Sequence, residues 1–128
     1  MSFWIKAPRD GECCDCQPAV CDLCCVLSVG TSGSENTVVT YDVTGQFTAA
    51  HDLYIRVTAD AGSPSTARFE VTFNGVAAYD SGCISATSAN TTISCPIGTT
   101  SIVMTITAPC AGGNDGWDFV ICCAGLCT

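Results

Sequence analysis

Residues 67–80, "ARFEVTFNGVAAYD", decide how the chain folds. Phe69, Val71 and Phe73 alternate with Arg68, Glu70 and Thr72. A period of two puts one set on each face of a half-buried antiparallel strand. Asn74-Gly75 then separates this run from a second, Val76 to Asp80. A two-residue loop of type I′ needs positive φ at both positions, which Asn-Gly supplies. The stretch therefore predicts a β-hairpin with one apolar face.

The same pattern recurs outward from it. Leu53, Ile55 and Val57 alternate with Tyr54, Arg56 and Thr58. Ile102, Met104 and Ile106 alternate with Val103, Thr105 and Thr107, and Trp117, Phe119 and Ile121 with Asp118, Val120 and Cys122. Strands are expected at about 23–30, 36–44, 52–59, 67–74, 76–80, 90–95, 100–108 and 117–123. "TSGS", "AGSPS", "GTT" and "AGGNDG" read as the turns between them. No segment carries a helical period. About eight short strands predict an all-β fold, an antiparallel β-sandwich of jelly-roll type. Its expected core is Leu53, Ile55, Val57, Phe69, Val71, Phe73, Ile93, Ile102, Met104, Ile106, Trp117, Phe119 and Ile121. Each large side chain, fully buried, contributes about 1.5–3 kcal/mol.

Composition divides the chain differently. Residues 1–25 hold six cysteines and show no strand alternation, which predicts a Cys-rich N-terminal arm ahead of a sandwich domain at 26–128. The 128 residues hold 12 cysteines, more than a chain of this size needs for stability. Four Lys plus Arg stand against 12 Asp plus Glu, a net charge of -8. That balance offers no basic stripe for phosphates and no attraction to an anionic membrane. No run is long and apolar enough for a transmembrane helix.

The stretches "FEVTFNGVAAYDSGC", "TISCPIGTTSIVMTITAPC" and "NDGWDFVICC" resemble β-sandwich modules of bacterial extracellular and phage tail proteins. They are also similar to jelly-roll carbohydrate-binding modules, whose last strand often carries an aromatic and an acid. The resemblance spans residues 36–123 and transfers no binding residues. It implies a binding or building module rather than an enzyme.

The cysteines carry the remaining chemistry. Cys13, Cys14, Cys16, Cys21, Cys24 and Cys25 crowd one stretch; Cys83, Cys95, Cys110, Cys122, Cys123 and Cys127 are spread behind it. Cys13, Cys16, Cys21 and Cys24 form two CxxC units able to ligate zinc or an iron–sulfur cluster. Their four-residue spacer is shorter than in zinc ribbons. Disulfides are the competing reading, with Cys83, Cys95 and Cys110 placed to pin strands. Neighbours in a strand face opposite ways, so Cys122 and Cys123 cannot both serve one core. One of them is expected to face a second layer, the arm or another subunit.

Persistent disulfides need an oxidising location, and "MSFWIKAPRDGE" does not read as an export signal. A virion or extracellular location fits both. The leading expectation is a non-enzymatic structural subunit of a viral (phage) particle or extracellular assembly, its arm cross-linking to other copies or other structural proteins. The alternatives are a carbohydrate- or receptor-binding module, calcium-dependent through Asn114, Asp115 and Asp118, and a metal-binding arm. No cofactor is required by the leading reading.

The other candidates have plainer readings. Asn114 and its neighbours fit an ordinary Asx turn. His51, the single histidine, has no nucleophile beside it and reads as a surface turn residue. Trp4, Tyr41, Tyr54, Tyr79 and Trp117 are candidate sugar-stacking aromatics, with Trp117 on the core face. Asn90-Thr91-Thr92 is a glycosylation sequon.

Overall fold

A computed structural model describes residues 2–6, 31–62 and 64–123. They form nine strands: β1 (Ser2–Lys6), β2 (Thr31–Gly33), β3 (Thr37–Asp42), β4 (His51–Ala59), β5 (Thr66–Phe73), β6 (Val76–Ser85), β7 (Ser88–Cys95), β8 (Ser101–Thr107) and β9 (Trp117–Cys123). They build two sheets, ordered β1-β3-β8-β5-β6 and β2-β9-β4-β7. All pairs are antiparallel except β1 with β3. From β3 onward the chain changes sheet at each connection but one, the β5–β6 hairpin. The molecule is thus an all-β sandwich, as the alternation predicts.

The expected hairpin forms as a type I′ turn, with φ of 49° at Asn74 and 80° at Gly75. Asparagine adds a tie that glycine lacks. Its Oδ1 accepts from the amides of Thr100 and Ser101 at 2.9 and 3.0 Å, locking the turn onto the start of β8. The strand runs past the expected end at Asp80 to Ser85, and it carries two bulges, one at Ala78 and one at Ser81-Gly82. One lies opposite Phe69, where Gly82 takes φ of 66° and the Ser81 hydroxyl accepts from the Phe69 amide. The bulges break the period, so the alternation is lost where the strand continues.

The expected core is buried throughout, save Ile93, which is partly exposed and packs against it. Val39, Tyr41, Val43, Phe47, Ala59, Ala67, Cys95 and Ala108 complete it. Tyr41 is therefore no sugar-stacking residue: it is 0 % exposed.

Two strands were not legible. "TSGS" holds β2, which pairs with β9, rather than a free turn. Within the first 25 residues β1 lies parallel to β3, so the five-stranded sheet begins with residues the composition assigned to the arm. The strand expected at 23–30, both CxxC units and Cys127 lie outside the described residues.

Candidate functional site

β4 and β9 run antiparallel with Ala59 opposite Trp117. This register brings the residue after β4, Asp60, against the residue before β9, Gly116. The Asp60 amide donates to the Gly116 carbonyl at 3.1 Å. Ser65 closes the junction: its amide donates to the Asp60 carbonyl at 2.9 Å, and its Oγ accepts from the Gly116 amide at 3.1 Å. Asp60 Oδ1 accepts from the Gly62 amide at 2.9 Å, which holds the carboxylate in an Asx turn. A side chain at Gly116 would meet that carboxylate, with a Cβ 3.4 Å from Oδ2.

β2 forms the other wall. Gly33 sits on the edge of the Trp117 indole, and an added Cβ would lie 2.8 Å from Cζ2. The indole Nε1 donates to the Glu35 carbonyl at 3.0 Å, and the ring stacks on Phe119 at 6.0 Å between centroids. The result is a cleft of about 460 Å³ lined by Gly33, Ser34, Asp60, Gly116, Trp117 and Asp118. Its chemistry is two carboxylates and a hydroxyl beside an aromatic edge. Trp117 is only 5 % exposed, so it walls the cleft instead of offering a stacking face.

Of the three residues considered for calcium, the cleft takes Asp118 alone. Asn114 is committed to its loop: its amide and Nδ2 donate to the Pro64 carbonyl, and its carbonyl accepts from the Thr66 amide. Among the described residues no three His, Cys, Asp or Glu side chains converge on a metal position. Asp60 was not singled out from the sequence. It lies one residue past the strand expected at 52–59, and the non-local register of β4 on β9 is what delivers it.

The other expected site residues are scattered. His51 is not in a turn; it opens β4 opposite Cys95, its ring edge-on to Phe47 at 6.3 Å. Tyr54 is half-buried on the outward face of β4, Tyr79 half-buried at the side of the sandwich, and Asn90 exposed on β7. Burial raises the Tyr79 hydroxyl pKa, and Asp80 adds to the effect.

The described cysteines divide three ways. Cys83 and Cys110 form a disulfide with an S–S distance of 1.96 Å, joining β6 to the loop before β9. Cys95 is free and 0 % exposed, so it is neither a bridge nor an exposed ligand. Burial pushes its thiol up to about 11, against the lowering effect of the Thr99 side chain. Cys122 is disulfide-bonded and 1 % exposed although it alternates with the core residues of β9. Val120, on the same outward face, is buried as well. Val120 and Cys122 are thus both buried on the outward face of β9.

A second concavity, about 430 Å³, opens between the β5–β6 hairpin and the end of β7. Phe73, Val76, Ala78, Ile93, Pro96 and Ile97 make it apolar.

No family model matches the sequence, and no curated protein does. Solved structures do match in fold. The CBM51 of Clostridium perfringens GH95, in complex with methyl-galactose, aligns at a TM-score of 0.59 and 18 % identity over 73 % of this chain and 68 % of that one. A Clostridium perfringens ZmpB chain, holding the M60 catalytic domain with CBM51-1 and CBM51-2, aligns at 0.59 and 19 % over 76 % of this chain. This chain spans 11 % of that ZmpB chain. The pre-peptidase C-terminal domain of a Bacillus anthracis collagenase aligns at 0.56 and 9 % over 94 % of both chains. The protein thus shares its β-sandwich with modules of bacterial carbohydrate-binding and collagenase proteins, as its sequence resemblance implied.

Proposed function

We propose that the chain is a non-catalytic glycan-binding module acting outside the cell, with the cleft at Asp60, Trp117 and Asp118 as its site. The observation that carries this reading is the pair of carboxylates beside Trp117 in that cleft. Sugar hydroxyls come in adjacent pairs, and a carboxylate accepts two hydrogen bonds at once. Ser34 supplies a further hydroxyl, and Asp60 is held in place by the Gly62 amide before any ligand arrives. Such preorganisation lowers the ordering cost of binding. The likeness in fold to CBM51 modules supports the same class of ligand.

The alternative, a cross-linked structural subunit of a particle or assembly, draws on residues 13–25, outside the described residues. No observation on the described residues favours it over the module.

The test is a titration with methyl-galactose followed by amide chemical shifts, beside a broad glycan array. Shifts should cluster at Ser34, Asp60 and Asp118, and Asp60→Asn or Asp118→Asn should weaken array binding about tenfold, a loss near 1.4 kcal/mol. Silence across the array with a folded protein overturns the reading.

A further inference from the structure

We propose that the side of the sandwich between β6 and β7 receives an extended segment of another polypeptide, apolar at alternate positions and carrying Lys or Arg. β6 ends one sheet and β7 ends the other, so among the described residues each presents an unpaired strand edge. Between them lies the apolar groove, and its rim holds Val76 at 69 % exposure and Ile97 at 67 %. These are the large hydrophobics most exposed to water among the described residues. Tyr79, Ile84 and Ala89 continue the stripe, half-buried against the core.

The two edges are not equivalent. β6 has two register shifts and the charged Asp80, devices that blunt an edge against pairing. β7 pairs with β4 over eight residues without a shift. Its sequence, "SANTTISC", has no charge, proline or glycine. Natural edge strands are usually protected by such residues. β7 is therefore the backbone template. A strand added to it turns every second side chain toward the groove.

Area and charge identify the occupant. Eight residues of strand span about 27 Å, and a sandwich is about 10 Å thick. Two whole sandwiches meeting along β7 would bury a few hundred Å² each, short of the roughly 800 Å² per partner of stable interfaces. Each copy also has a net charge of -8 and would repel the other. An extended segment reaches into the groove as a folded copy cannot, and positive charge on it complements the acidic chain. This inference is independent of the glycan reading, since it uses the opposite side of β4.

The probe is a labelled peptide of about nine residues, alternating valine and threonine with a lysine at each end, so that it spans β7. A proline-interrupted peptide of the same composition is its control. Binding to the full chain should be seen by anisotropy for the first peptide alone, with β7 amides gaining hydrogen-exchange protection. Val76→Asp and Ile97→Asp alter exposed positions and leave the fold intact by circular dichroism. Each should weaken the peptide about tenfold or more by placing a charge at the apolar rim. No binding, or binding indifferent to both substitutions, overturns the proposal. Concentration-dependent dimers that Ile97→Asp abolishes overturn it too, in favour of a second copy.

Discussion

Single residues contribute to the pH dependence of this fold at both ends of the scale. Cys95 has a folded-state pKa of about 11, above its ordinary 9.0, because burial disfavours the thiolate. Its contribution is complete below pH 9 and is lost as pH rises toward 11. Urea midpoints of the wild type should fall across that window more steeply than those of Cys95→Ala. Asp80 acts at the other end. Arg68 grips its carboxylate with two guanidinium nitrogens, and the Gly82 amide adds a hydrogen bond, holding its pKa at about 2. That contribution is present above pH 3.8 and disappears as pH falls through 2. Asp80→Asn should flatten the acid limb of a stability profile. Gly33 is a packing limit rather than a titration. A methyl there would press on an indole already fixed by Nε1 and by Phe119, so Gly33→Ala should destabilise by about 1–3 kcal/mol in chemical denaturation.

Among the elements, the loop from Ala108 to Gly116 depends most on non-local ties. Cys110 bonds Cys83, the Ala111 amide donates to Thr66 Oγ1, and Asn114 bridges to Ser65. The disulfide closes a separation of 27 residues, which in the chain-entropy model is about 3.5 kcal/mol. Cys83→Ala with Cys110→Ala should lower the unfolding free energy by up to that amount. It should also raise amide exchange at Asn114 and Gly116, next to the acidic cleft.

The elements also explain what the sequence could and could not reveal. β4, β5, β8 and β9 were legible because their core residues recur every second position, whereas β6 loses the period at its bulges. β2 was hidden because three residues are too few for a period, and its strand geometry comes from β9. β1 pairs along an edge, so nothing in its own order announces it. The cleft was half legible. Trp117 and Asp118 stood out beside each other, but Asp60 arrives from 57 positions away through the register of β4. Cysteine positions were visible while their partners were not, since pairing is a property of the folded neighbours.

At the scale of the whole molecule, the acidic balance is the dominant long-range force. Four cations cannot neutralise 12 acids, and Arg68 alone engages two of them. Self-repulsion opposes the compact state, and salt screens it. The thermal midpoint at pH 7 should therefore rise between about 10 and 150 mM sodium chloride, as Debye lengths shrink from roughly 30 to 8 Å. A flat response in calorimetry would show that the acids are spaced too widely to matter.

The bond between Cys83 and Cys110 also bears on survival among proteases. Every peptide bond of β7, β8 and the turns beside them lies between its two ends. A protease that nicks the exposed Pro96–Gly98 turn would produce two fragments still joined as one covalent molecule, with both sheets able to stay assembled. The damage would show only when the sample is reduced and its fragments separate.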